Sequence, residues 1–136
     1  MHDPYDSGEI ARDDALPVQL AIPAIEGFAA SRLCPPGLRW HARSSLPLVP
    51  LFLSLGGHVS TRRIDWGALD PLELASTSMR QAGNDEELRF LSELLELTAG
   101  LYRWLGQAGE LDEVTSRRLQ TQLLQLSRSV LRPAGA

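Results

Sequence analysis

Residues 84–105, NDEELRFLSELLELTAGLYRWL, carry the longest helix signal in the chain, and the fold turns on how they are read. Leu88, Leu91, Leu95, Thr98, Tyr102 and Leu105 recur at alternating spacings of three and four, and Phe90, Leu94, Leu97, Leu101 and Trp104 repeat the pattern on an adjoining line. At 3.6 residues per turn the two lines cover roughly half of a helix circumference. Arg89, Ser92, Glu93, Glu96 and Arg103 fill the opposite side, and Arg89 and Glu93 stand one turn apart, where unlike charges attract. Asn84 is placed as N-cap, with Glu87 completing a capping box. Asp85 and Glu86 suit the positive end of the helix dipole, and Gly106 offers a stop. Two apolar lines need two covering surfaces, from this chain or from another.

The flanking sequence supplies helices for both. At Asp70-Pro71-Leu72-Glu73, Asp70 caps, Pro71 takes the first helical position where its missing N–H is harmless, and Glu73 closes the box. Leu69 and Leu74 fall at the positions of a hydrophobic staple. Leu72, Ala75, Met79 and Ala82 form a narrow apolar stripe ending near Gly83. On the other side, residues 106–109 link to a third helix over 111–131, whose seam is Leu119, Leu123, Leu126 and Val130, widened by Leu124 and Leu131. Glu110, Asp112 and Glu113 at its start, and Arg117, Arg118, Arg128 and Arg132 further on, largely suit the dipole; Pro133 ends it. A short link between two long amphipathic helices predicts an antiparallel αα-hairpin.

Upstream the pattern changes. Val18, Leu20 and Ile22 alternate with Gln19 and Ala21, which predicts a strand buried on one side. Ile25, Phe28, Ala29 and Leu33 fit a short helix, weakened by Gly27, and Pro35-Pro36-Gly37 is a break. Leu38, Trp40 and Ala42 then alternate with Arg39, His41 and Arg43. Residues 48–55 read as a more fully buried strand. Gly56-Gly57 supplies the positive φ angles of a two-residue hairpin, with 58–64 as the return strand. Residues 1–15, with Asp3, Asp6, Glu9, Asp13 and Asp14, read as a flexible acidic tail. The expected fold class is therefore α+β: one domain over 16–136, with 16–66 mainly β as an antiparallel sheet of three to four strands, and 67–132 forming three helices.

The totals narrow the function classes. At 136 residues, 43% hydrophobic and 22% charged, the chain has the composition of a globular domain with a real core. A net charge of −4 disfavours nonspecific nucleic-acid binding. All 13 basic residues are arginine. A single cysteine, Cys34, excludes an intramolecular disulfide framework. The acidic N-terminus lacks the apolar core of a signal peptide, and the run 46–55 is about half the roughly 20 residues of a membrane helix. No membrane insertion and a cytoplasmic location are the expectation.

The chemistry of enzymes and metal sites is thinly represented. Cys34, His41 and His58 are scattered, with no CxxC or HExxH spacing, so neither a zinc site with Asp65 nor a Cys–His nucleophile pair has a sequence signature. Gly56-Gly57 lacks the lysine and following helix of a phosphate loop. Glu93 and Glu96 lie on the polar side of a helix, without a pocket to raise one pKa. The polar constellation that stands out is Arg39, His41 and Arg43 on one predicted strand face, with Arg62 and Arg63 on the return strand, where guanidinium groups could bind phosphate or carboxylate bidentately. Arg39-Trp40-His41-Ala42-Arg43 has an RxxxR form, and Ser54-Leu55-Gly56-Gly57 resembles the SxxG half of the second motif of PilZ domains. That resemblance implies cyclic di-GMP binding. It is confined to residues 39–57, and Phe52 stands where the family has Asp or Asn, so it does not assign the chain to the family.

The sequence thus predicts a non-enzymatic protein–protein interaction module without cofactor or metal: an adaptor, chaperone-like protein or assembly subunit. It would contact a protein partner or a second copy in a homodimer through the helical hairpin. The candidate contact residues are Leu91, Leu95, Tyr102, Trp104, Leu119, Leu123 and Leu126. The alternative is an anion or nucleotide sensor using Arg39, Arg43, Arg62 and Arg63.

Overall fold

The computed structural model describes the backbone of residues 3–131 and the side chains of residues 15–131. Its elements are α1 (Asp3–Ala30), α2 (Arg39–Ser45), α3 (Leu48–Leu55), α4 (Pro71–Gln81), α5 (Asp85–Gln107) and α6 (Glu113–Val130), with single 3₁₀ turns at Pro36–Leu38 and Trp66–Ala68. Among the described residues there is no strand, so the expected α+β fold and its sheet are overturned; the chain is all-α. What remains of the hairpin is one isolated antiparallel bridge between Val59 and Ile64.

The stretches read as strands became helices for identifiable reasons. In α1 the buried set is Pro17, Ala21, Ala24, Ile25, Phe28 and Ala29, the three-and-four spacing of a helix face. The alternating Val18, Leu20 and Ile22 lie beside that face, with Ile22 exposed. Pro17 and Pro23 both sit inside the helix. Each removes a backbone donor and costs about 3 kcal/mol in a helix interior, so packing of the buried face must offset them. In α2, Ala42 and Ser45 are buried while Trp40 is 71% exposed, so the apparent alternation of Trp40 with Ala42 placed them wrongly on one side. In α3, Pro50 is the third residue, within the first turn where an N–H has no helical acceptor anyway.

Gly56-Gly57 does supply a positive φ, but as a helix terminus. Gly57 has φ +80, His58 N–H donates to Leu53 O at 2.9 Å and Gly57 N–H to Ser54 O at 3.0 Å, the two bonds of a Schellman motif. Gly109, also at φ +80, ends α5 in the same way, with Glu110 N–H on Leu105 O at 2.9 Å and Gly109 N–H on Gly106 O at 3.4 Å.

The three C-terminal helices start at their caps. Asp70 accepts from Glu73 N, Asn84 from Glu87 N at 2.8 Å and Asp112 from Thr115 N at 2.9 Å. Within α4 the buried residues are Pro71, Leu74 and Ala75, whereas Leu72 and Met79 point outward. The Leu69–Leu74 staple sets this rotation, since both side chains are buried, and the stripe read through Leu72 and Met79 is corrected accordingly.

The core is organised by α5. α6 runs antiparallel along it, Ser92 meeting Ser127 at one end and Tyr102 meeting Ser116 at the other. α4 lies on a second side and α1 on a third. Tyr102 is fully buried; its hydroxyl donates to Trp66 O at 2.6 Å and its ring meets Trp66 edge-on at 6.0 Å. This contact ties the irregular segment 56–70 to the helical core. Both apolar lines of α5 are thus covered by the chain's own helices, and Phe90 is the main exception at 50% exposure.

Candidate functional site

Five of the seven contact residues expected from the sequence lie in the core: Leu91, Leu95, Tyr102, Leu119 and Leu123 are each at most 3% exposed. Trp104 and Leu126 are partly buried against that core. These seven are placed together along the α5–α6 seam and its flank, where they hold the fold.

The four arginines lie on two different parts of the chain. Arg39 and Arg43 stand on α2, and Arg62 and Arg63 lie in the irregular segment after α3. Arg43 Nε donates to both carboxylate oxygens of Glu26, at 3.0 and 2.9 Å. The pair is half-exposed, worth about 0–1 kcal/mol. The Nε of Arg39 is buried and makes no hydrogen bond among the described residues. Ser60 Oγ accepts from the backbone N–H groups of Arg62 and Arg63, which organises a turn. With no sheet, the arginine-rich sheet face and the PilZ-like arrangement lose their scaffold.

Cys34 is buried, and its Sγ lies 3.6 Å from Pro35 O. Burial pushes its thiol pKa up, partly opposed by the guanidinium groups of Arg39 and Arg43, so the thiol form is favoured. His41 Nδ1 instead faces Glu93 Oε1 at 3.4 Å. Among the described residues no group of three or more His, Cys, Asp or Glu is placed to hold a metal ion. No helix among them is long and apolar enough to cross a membrane.

What stands out instead is an uncovered apolar surface. α3, LVPLFLSL, has one polar residue in eight. It buries Val49, Pro50 and Leu53 against the rest of the chain and leaves Leu48 and Leu55 exposed, Leu55 at 88%, with Leu51 and Phe52 half-buried. Leu48, Leu51, Phe52 and Leu55 recur at three and four, so they share one side of the helix. Leu48 and Phe90 line a groove of about 280 Å³ between α3, the end of α4 and the start of α5, floored by Leu91 and Leu94. Glu87 stands at its edge. A helix apolar all round is normally covered on all sides; here one side is not.

Sequence reasoning missed this surface because a continuous apolar run of eight looks the same as a buried strand or as a buried helix. The available signal was Pro50, three residues into a segment ended by Gly56-Gly57, a pattern that suits a short helix better than a central strand. No family model matches the chain, and no curated protein or solved structure matches it.

Proposed function

We propose that the chain is a non-enzymatic protein-interaction module, an adaptor or assembly subunit, whose contact surface is the uncovered side of α3 together with the Leu48–Phe90 groove. The observation that carries this reading is the exposure of α3: Leu48 and Leu55 exposed, with Leu51 and Phe52 half-buried between them, on one side of a helix that has no polar face to offer water. Burying such a surface yields about 25 cal/mol per Å², and exposed apolar patches rimmed by polar groups characterise interaction sites. The reading replaces the α5–α6 seam with α3 as the contact element, since the seam is already used by the core. Its occupant is a protein partner or a second copy of the chain, and its compartment is the cytoplasm.

The test compares the wild-type chain with Leu55→Asp and Phe90→Asp by light scattering from micromolar to millimolar concentration, and by cross-linking in a cell extract. Self-association or a cross-linked partner, present in the wild type and lost in both variants, supports the reading. A wild-type chain that stays monomeric and yields no cross-link sensitive to either substitution sinks it.

A further inference from the structure

A second surface, on the other side of α5 from the α3 groove, has the composition of a ligand site. Residues 31–38, which carry the chain from α1 to α2, leave a cleft of about 290 Å³ against α5 and α6. Phe28, Leu33, Leu38, Leu97 and Leu124 line it with hydrocarbon. Gly100 also lines it, and there the Phe28 ring lies so close that an added Cβ would sit 2.8 Å from it. Arg103 and Gln120 also line this cleft, and the same two residues line a polar basin of about 440 Å³ between the end of α5 and the start of α6. The basin adds Gly106, Gln107, Glu113, Ser116 and Arg117. Apolar cleft and polar basin therefore lie side by side, with Arg103 and Gln120 common to both.

Two polar groups of the basin, Gln120 and Ser116, are held in place. Gln120 Nε2 donates to Ser116 Oγ at 2.9 Å, and Ser116 Oγ donates to Tyr102 O at 2.7 Å. Arg117 donates to Glu113 from Nη2, which leaves most of its five N–H donors for another acceptor. Glu113 is thereby partly neutralised. The other carboxylate, Glu96, also lines the cleft; it is two turns from Arg103 on α5, roughly 10 Å along the axis, and accepts from Ser127 Oγ at 3.3 Å.

The geometry points to a binding site for a single-tailed amphipathic anion: an unbranched apolar chain seated between Phe28, Leu97 and Leu124, with a carboxylate or phosphate head on Arg103 and Arg117. Both cavities are of small-ligand size. Charge complementarity selects the class. A neutral apolar molecule leaves the two guanidinium groups unused, a cation finds one of the two lining carboxylates, Glu113, already paired with Arg117, and a tail-less anion forfeits the hydrocarbon wall. Charge-assisted bonds from guanidinium to an oxyanion are the strong polar contacts available here. The site shares no residue with the α3 surface and stands or falls independently of it.

Calorimetric titration of the full chain with octanoate, octyl phosphate, octylammonium and acetate tests the assignment. Octanoate or octyl phosphate should bind one to a chain, and the tighter of the two identifies the head group. Octylammonium and acetate should bind at least about tenfold more weakly, and Arg103→Ala should weaken the anion by about tenfold, with Arg103→Lys recovering part of the loss. Leu124→Asp should weaken octanoate while leaving acetate unchanged. Both altered side chains are exposed. As a check that needs no variant, amide chemical-shift changes on adding octanoate should centre on Gly100, Arg103 and Leu124. Equal binding of octylammonium, an unchanged affinity in Arg103→Ala, shifts centred elsewhere, or no saturable anion binding would each overturn the assignment.

Discussion

The indole of Trp104 on α5 lies against Gly27 on α1, so close that an added Cβ would overlap its Cζ2. One turn away the relation is reversed: the ring of Phe28 on α1 lies against Gly100 on α5. Each helix offers a bare backbone patch to a ring of the other. Gly27→Ala should therefore destabilise the chain by about 1–3 kcal/mol through overpacking, although alanine is favoured in a helix by about 1 kcal/mol. Gly37→Ala, where nothing lies within 4 Å, should stay within about 0.5 kcal/mol of wild type. Urea unfolding followed by tryptophan fluorescence measures both; a neutral Gly27→Ala would contradict the ring-on-glycine contact.

Ser92 and Ser127 each donate a hydroxyl to the other's backbone carbonyl, at 2.9 and 3.0 Å, deep in the α5–α6 seam. Ser92→Ala removes one such bond and should cost about 1 kcal/mol. Ser127→Leu should cost about 1–3 kcal/mol, because the enlarged side chain has to part the helices. Thermal unfolding of the two variants should therefore rank Ser127→Leu below Ser92→Ala.

The helix ends make a separate prediction. Asn84→Ala removes the Oδ1 acceptor for Glu87 N and should lower stability by about 1 kcal/mol. Gly109→Ala forces an alanine to φ +80, which costs about 1–2 kcal/mol. If Gly109→Ala proved neutral by denaturant titration, the Schellman closure of α5 would be wrong.

Stability should fall at both pH extremes for different reasons. The Thr115 backbone N–H holds the Asp112 carboxyl below its ordinary 3.8. The folded state thus gives up that proton more readily than the unfolded one. Its contribution is complete above pH 3.8 and is lost as pH falls through the lower folded value. Tyr102 is the converse. Burial, and secondarily the charge of Asp65, raise its phenol well above 10.0. The neutral phenol is stabilised by the fold, so its contribution is complete below pH 10.0 and is lost progressively as pH rises toward the folded value. Melting temperature against pH should show a flatter acid limb in Asp112→Asn and a flatter alkaline limb in Tyr102→Phe.

Leu95 and Leu55 are the same residue type with opposite roles. Leu95→Ala should cost about 2–5 kcal/mol, as for a fully buried leucine. Leu55→Ser should change stability by less than about 0.5 kcal/mol, as at an exposed site. A large loss in Leu55→Ser would mean that α3 is covered.

The helices over 71–81 and 85–107 were legible from the capping side chains Asp70 and Asn84, and 85–107 and 113–130 from their three-and-four apolar repeats. Of α1 only the end was legible, through Ile25, Phe28 and Ala29, and α2 and α3 were not, because those signals conflict there. In α1 the helical repeat runs through Ala21 and Ala24, too small to register beside Val18, Leu20 and Ile22, while Pro17 and Pro23 argue locally against a helix. In α2, Trp40 suggests burial that the structure denies. Gly56-Gly57 marked a positive φ correctly, but one glycine pair ends a helix as readily as it turns a hairpin. The contact residues were chosen by hydrophobicity alone, which finds a core before it finds a surface; Leu55 and Arg103 acquire meaning only once neighbours are known.

The antiparallel pairing of α5 with α6 also bears on how the chain reaches its fold. Residues 85–130 form their contacts across a five-residue connection, so closing that loop sacrifices little chain entropy. α1 can find Gly100 and Trp104 only after some seventy intervening residues are gathered in, roughly the slow, non-local step that governs folding rate. Nucleation therefore belongs to the C-terminal hairpin: substitutions at Leu95 or Leu123 should slow folding, while Gly27→Ala should chiefly speed unfolding. During synthesis the N-terminal helices emerge first, and the face of α1 that covers Gly100 and Trp104 must wait for α5 to arrive.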